Sequence, residues 1–376
     1  MLAISKEQAR EILVHYHGLH EIDSFGKGKE GLLNVLGRIK SIQFDPLNII
    51  GTNMDLVISS RISTYTPENL DDLLYKEKKL VEGFDKELCI YRSNEWNNFS
   101  FIRSCMKTSA LNKLIYRKQI EALNYIEDII EIIKSNGPLC SQDIVIGSSG
   151  QSKWGSSNIS NIVMDYLFLN GQLTIVNRKN KVKYYELTEK LDRSPLIQSM
   201  NESNFLKWYI KRRINCIGFY WEKSGAGWQG LYLSNSKIRK KIISDLVSEG
   251  ELIPFKILTM KETFYIAKEF KYLLNKNDFH YDNRVKMIAP LDNFIWDRKL
   301  IASLFDFKYV WEVYKPKESR KYGYYVIPLM YHGDFIGRFE PNKDDLNKSK
   351  IWWEEKYKNN IYIHNKVHNF LKELSY

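Results

Sequence analysis

The sequence predicts an α+β chain built of tandem winged-helix (helix-turn-helix) domains followed by a small C-terminal β-barrel-like domain. Three observations carry that prediction. Residues 113–200 show helical apolar spacing and then two short strand-like segments around a polar turn. The same order recurs at 201–284, where Gly250 stands in the same polar-Gly-polar-Leu setting as Gly171. From about residue 285 the period changes from helical to alternating. The modules are therefore an N-terminal helical/winged-helix segment at 1–112, winged helices at 113–200 and 201–284, and a β-rich domain at 285–376.

The elements follow in chain order. Ser5 caps a helix carrying Ala9, Ile12, Leu13 and Tyr16, and Leu32, Leu33, Leu36 and Ile39 form a second helical stripe. Thr66-Pro67-Glu68 is a cap with a first-turn proline. A helix through Tyr125, Ile129, Ile132 and Ile133 stops at Asn136-Gly137-Pro138, Ser141 caps a short helix, and Ser156 to Asn170 forms another. Strands Leu173–Val176 and Val182–Leu187 then flank a basic turn, Asn177 to Lys181. Lys237 to Ser248 is a helix before strands Ile253–Leu258 and Thr263–Ala267. In the last module Tyr309–Tyr314, Tyr324–Tyr331 and Asp334–Phe339 read as strands, the last two joined at His332-Gly333, with a further strand at Ile351-Trp352-Trp353 and a terminal helix.

Composition narrows the class. The 56 Lys+Arg and 45 Asp+Glu give a net charge of +11, and 44% hydrophobic residues exclude a mostly disordered chain. Residues 1–102 hold 12 basic against 15 acidic side chains, so the basic excess lies wholly downstream. Such an excess favours polyanionic partners. Cys89, Cys105, Cys140 and Cys216 form no C-x-x-C pair, which argues against a zinc ribbon or disulfide framework and for a reducing compartment. Charges interrupt every apolar run, and Met1 to Arg10 lacks an apolar signal core, so neither membrane nor export is expected.

Several motifs have plain readings. Gly225 to Gly230 spells G-x-G-x-x-G, but Tyr220-Trp221-Glu222-Lys223-Ser224 precedes it and no parallel βαβ pattern surrounds it, so it reads as a flexible loop. His15, His17 and His20 do not share a helix face and read as a solvated helix end. Arg178 and Lys179 in the basic turn, and the run Arg239-Lys240-Lys241, are candidates for phosphate contact.

Ser41-Ile42-Gln43-Phe44-Asp45-Pro46-Leu47 is the most informative stretch. If extended, it projects Gln43 and Asp45 to one side and Phe44 to the other. An amide beside a carboxylate can hold a water, the carboxylate taking its proton. Asp45-Pro46 equally reads as an N-cap and first-turn proline opening a helix with Leu47, Ile50, Met54 and Val57. The readings are compatible, because a capping position is rigid.

The segment resembles the Q-Φ-D signature of winged-helix DNA glycosylases of the AlkX/AlkZ (YcaQ-like) type. Agreement extends to Asp55-Leu56-Val57 with Arg61, Leu73-Leu74-Tyr75 and Asp85-Lys86. Downstream, Ala289 to Arg298 resembles the family's S-P-x-D-x-x-x-W-D-R element, and Lys321 to Leu329 its K-x-G-Y-Y-x-x-P-L element. Thr52, Asn53 and Met54 stand where many members carry Arg and His, and Phe84-Asp85-Lys86-Glu87 replaces a W-A-H-E stretch, departures that bear on lesion range.

The resemblance implies monofunctional excision of alkylated bases, from N7-alkylguanine monoadducts to guanine interstrand crosslinks, with Asp45 as base and Gln43 as positioning residue. It implies double-stranded DNA as partner, no cofactor or metal, a monomer, and a cytoplasmic, nucleoid-associated location. Nucleic-acid contacts are expected from Asn53, Arg61, Lys86, Arg178, Lys179, Arg298, Arg320, Lys321 and His332, the last at a hairpin tip suited to probing a groove. The rival readings are a non-catalytic winged-helix regulator and a damage-binding protein that has lost excision.

Overall fold

The computed structural model describes residues 1–146, 156–191 and 200–374. It resolves into two compact units, residues 71–205 and a discontinuous one formed by 1–70 with 206–376.

In the discontinuous unit the N-terminus opens on a strand, Leu2–Ile4, which pairs in parallel with Leu252–Ile257. Ser5 then accepts the Gln8 N–H at 3.0 Å and caps the helix Lys6–Tyr16, as its sequence position predicts. Asn235 caps Ser236–Ser248, and the hairpin Leu252–Ile257/Thr263–Ala267 follows. With Phe219–Trp221 these strands make a sheet ordered 2–4, 252–257, 263–267, 219–221.

The C-terminal segment builds an open antiparallel sheet, ordered Lys286–Met287, Ile327–Tyr331, Asp334–Glu340, Lys350–Trp353. It does not close, so the barrel-like expectation is replaced by a four-stranded open sheet. His332 and Gly333 have φ of 46° and 76°, the two positive values of a type I′ hairpin turn. Tyr309–Tyr314 and Tyr324–Val326 lie outside the sheet, because side chains take the place of a strand partner. Glu312 accepts the N–H groups of Lys321 and Tyr322, and Glu340 that of Tyr324. The terminal helix Ile361–Glu373 is capped by Asn360 and buries Val367 and Leu371.

Two plain readings are corrected here. The glycine-rich loop is ordered, not flexible: Trp228 is buried, and Arg213 donates to the Gly227 and Gln229 carbonyls at 2.9 and 2.6 Å. A side chain at Gly227 would collide with the Tyr220 hydroxyl at 2.5 Å. The histidines are not solvated. His15 stacks on His20 with ring centroids 3.7 Å apart, and buried His17 bonds the Ile217 carbonyl through Nε2. Burial first, then neighbouring cations and imidazoles, pulls the His15 pKa down to about 3 and that of His20 to about 4, so both rings are neutral at physiological pH.

Unit 71–205 contains the hairpin Leu80–Phe84/Leu88–Arg92, the helices Ser100–Tyr116, Ile126–Asn136 and Ser156–Asn170, and the hairpin Leu173–Lys179/Val182–Leu187. Ile129, Ile133, Val163, Leu167, Leu173 and Tyr185 meet in one core. The basic turn is shorter than predicted: the strand continues to Lys179, and only Asn180 and Lys181 turn, both at positive φ. Ser141 starts a turn rather than a helix, with Asp143 accepting the Cys140 N–H at 2.9 Å; residues 147–155 lie outside the described residues.

Candidate active site

Lys40, at φ 68°, ends the helix Gly28–Ile39 and swings the chain into the strand Ser41–Gln43. Ser41 and Ile42 are buried, so the strand is anchored before it delivers Gln43. Phe44 to Asn48 have no regular secondary structure. Asp45 Oδ1 accepts the Leu47 N–H at 2.9 Å, an Asx-type turn that fixes the carboxylate, and the Asp45 N–H donates to Met54 Sδ at 3.4 Å.

Asp45 does not cap a helix. The next one, Asn53–Ser59, is capped by Thr52 in a reciprocal box: Thr52 Oγ1 accepts the Asp55 N–H at 3.3 Å and Asp55 Oδ2 the Thr52 N–H at 2.9 Å. That double bond pair outcompetes Asp45-Pro46, which offers one acceptor. Gly51, at φ 133°, supplies the turn before it.

What holds the loop is a buried polar network. Asn53, 2% exposed, donates from Nδ2 to the Gln43 carbonyl at 2.8 Å and accepts the Leu291 N–H at 3.2 Å. It is a brace between Gln43 and the downstream element, not a DNA-facing side chain. Arg61 is also displaced from its expected role. Fully buried, it grips Asp292 with a two-pronged pair at 2.8 and 2.9 Å and donates to the His17 carbonyl at 2.7 Å. A guanidinium sealed in this way cannot meet phosphate.

The stretch from Ala289 to Arg298 is the other half of this scaffold. Asn293 Nδ2 donates to the carbonyls of Ile39 and Cys216 at 2.9 and 3.2 Å, and Trp296 Nε1 to that of Leu291 at 2.9 Å. Asp297 caps Arg298–Phe305 and accepts a hydrogen bond from the Tyr220 hydroxyl. Arg298 lies half-buried over the Tyr309 ring. The Lys321–Leu329 stretch is held through Glu312: burial works against its ionisation, but the Lys315 ammonium and the amides of Tyr322 and Lys321 outweigh it and keep its pKa at about 2.

The remaining expected contacts divide by exposure. Arg178 is committed to the buried Glu82 at 2.9 and 2.5 Å, which removes it from phosphate contact. Arg239 likewise bonds the carbonyls of Leu233 and Glu222. Lys179, Lys321 and His332 are exposed, the last stacked on Tyr331; Arg320 is half-buried beside Tyr324, and Lys86 half-buried in its hairpin turn.

The electrostatics single out the motif. Asp45 is half-buried, and burial raises its pKa against the opposing pull of the Leu47 N–H. Gln43 Oε1 is buried with no hydrogen-bond partner. A buried unpaired acceptor is costly, and such atoms concentrate where a ligand or water completes them. Tyr325, missed by sequence reasoning, is buried; its hydroxyl is pushed up by burial and then by the charge of Asp45. Among the described residues no group of three or more His, Cys, Asp or Glu is spaced to hold a metal ion, and no helix is long and apolar enough to cross a membrane.

A family model described as DNA glycosylase AlkZ-like matches residues 36–355, which include the Gln43–Asp45 motif and both downstream elements. The chain belongs to the AlkZ-like DNA glycosylase family. A solved structure, the DNA glycosylase AlkZ of Streptomyces sahachiroi, superposes with a TM-score of 0.65 at 12% identity, over 99% of this chain and 97% of that one. At that identity the likeness is one of fold, and it extends the mixed α+β architecture of the AlkZ-like family across the whole chain. In this AlkZ-like protein the Gln43–Asp45 motif and the Ala289–Arg298 element share one buried network through Asn53, and Tyr325 of the third element is buried where the Asp45 charge acts on it.

Proposed function

We propose that the protein is a monofunctional DNA glycosylase that hydrolyses the N-glycosidic bond of alkylated bases, N7-alkylguanine monoadducts and guanine interstrand crosslinks among them. The observation that carries this reading is the pairing of Asp45, half-buried with a raised pKa, with the unpartnered Gln43 Oε1 two residues away. Alkylation at N7 makes the base cationic. As the C1′–N9 bond breaks, its electron pair neutralises the departing base, so no strong general acid is needed. A water oxygen bonds to C1′, and its proton passes to Asp45, whose negative charge also stabilises the oxocarbenium-like sugar. Gln43 accepts a hydrogen bond from that water and fixes its approach.

Lys86, Lys179, Arg298, Arg320, Lys321 and His332 are the expected contacts that keep some exposure, and they are assigned to phosphate and groove binding. The helix–hairpin segments at 113–200 and 201–284 serve as winged helices on duplex DNA. The protein acts as a monomer at the nucleoid.

Two measurements test the chemistry. The rate of 7-methylguanine release from alkylated duplex should rise with pH along an acid limb, because only the carboxylate form of Asp45 accepts a proton. Since burial raises its pKa, the limb should lie above the ordinary aspartate range. A rate independent of pH through the acid range would count against Asp45 as base. Gln43→Ala should slow release about 10-fold, the ~1.4 kcal/mol of one oriented hydrogen bond. Unchanged single-turnover rates would remove Gln43 from the mechanism.

A further inference from the structure

The loop after Asp45 borders a cleft that the proposed chemistry does not use. The chain leaves the strand Asp334–Glu340 at Pro341 and returns on the edge strand Lys350–Trp353, with Glu340 paired to Lys350. Residues 341–349 between them are fixed by their own side chains. Asn342 Oδ1 accepts the N–H groups of Asp344 and Asp345 at 3.0 and 3.2 Å. Asp345 caps the short turn Leu346–Lys348, and Ser349 Oγ accepts the Asn342 N–H at 3.2 Å. Buried Leu346 pins the loop from below.

This loop carries Lys343 and Lys348, and the strand after it Lys350, all exposed, onto the rim of a cleft of about 330 Å³. Ile49, from the Asp45 loop, lines it together with Tyr324, Tyr325, Pro341 and Asn342. Glu340 is the one carboxylate in the lining, and it is occupied by the Tyr324 N–H at 2.6 Å. Just outside the lining, Asp345 pairs with Lys348 at 3.4 Å and Asp344 is exposed. Among the described residues Lys343 and Lys350 have no carboxylate partner. Lys343 and Lys350, without carboxylate partners, and Lys348, which shares Asp345, bring like charges to one cleft, and an anion between them relieves their repulsion. Ammonium groups on flexible stems suit phosphates, which they meet as point charges without reading sequence.

We propose that this cleft is a phosphate subsite in which Lys343, Lys348 and Lys350 take backbone phosphates of the DNA strand whose damaged nucleotide reaches Asp45. The assignment of that strand rests on Asp45 being the reactive carboxylate. The test does not depend on turnover: affinity of the full chain for an undamaged, fluorescently labelled duplex is measured by anisotropy from about 50 to 200 mM salt, the range over which phosphate contacts are read. The triple variant Lys343→Gln/Lys348→Gln/Lys350→Gln should lower the slope of log affinity against log salt by about 2 to 3, close to 0.9 per lost contact. The matching triple arginine variant should retain the wild-type slope. An unchanged slope in the glutamine variant would overturn the subsite. So would an equal drop when the exposed Lys27, Lys358 and Lys372, none of them assigned to DNA, are changed to Gln instead, because the loss would then reflect net charge alone. A failure of base release by the wild type would refute the glycosylase reading and leave this measurement standing by itself.

Discussion

Asp45→Asn is expected to lower release of alkylated base by roughly 100-fold or more, the range that general-base catalysis supplies, while leaving DNA affinity largely intact. The carboxamide keeps the shape of the side chain, and its oxygen can still accept the Leu47 N–H that sets the turn. What it loses is the ability to take a proton and to oppose positive charge on the sugar. The sign of the stability effect separates this outcome from misfolding. The folded-state pKa of Asp45 is raised by burial, so the unfolded chain gives up its proton first as pH rises. The folded form then bears the cost of a half-buried carboxylate at neutral pH, and that cost disappears below the ordinary aspartate range. Asp45→Asn should therefore melt at or above the wild-type temperature at pH 7, and any difference should vanish on acidification. A variant that is inactive and also less stable at pH 7 would point to a structural role.

Arg61→Met should have the largest effect on stability. It strands the Asp292 carboxylate in a site with no solvent access, and breaking a buried pair on one side costs about 3–5 kcal/mol. Against a total stability of about 5–15 kcal/mol that is a large share. The melting temperature should fall by at least about 6 °C. The double change Arg61→Met/Asp292→Leu should recover part of the loss, because no unpaired charge remains. The recovery should be incomplete, since Asp292 also accepts the Phe294 N–H at 2.9 Å and Arg61 serves the His17 carbonyl. Wild-type melting of Arg61→Met would show that the pair is not what joins the Asn53–Ser59 helix region to the Ala289–Arg298 element.

These two residues also show where sequence reading stops. Gln43 and Asp45 stand out as candidates because an amide and a carboxylate two positions apart in an extended stretch have chemical meaning by themselves. The helix start beside them was misplaced: Asp45-Pro46 is a general capping signal, whereas Thr52 and Asp55 are stronger together and were not read as a pair. Arg61 looked like a phosphate contact because its partner lies 231 positions away, and no local pattern distinguishes a buried ion pair from an exposed basic residue. Arg178 failed in the same way against Glu82. The short strand Leu2–Ile4 has too few residues to show alternation, and its pairing with Leu252–Ile257 is a tertiary fact. The His332-Gly333 turn was legible because its backbone geometry is dictated locally, whereas the basic turn was read as Asn177 to Lys181 and is confined to Asn180-Lys181. The open edge of the C-terminal sheet was not, since closure depends on which groups satisfy the outer strands.

The proposed function rests on one claim, that Asp45 activates water against a glycosidic bond. Single-turnover release of free 7-methylguanine from alkylated duplex, with wild type and Asp45→Asn at equal DNA occupancy, tests it most directly. The wild type should release the base, and Asp45→Asn should bind the duplex without release. Equal release by both proteins at unchanged DNA affinity, or no release by either, would contradict it.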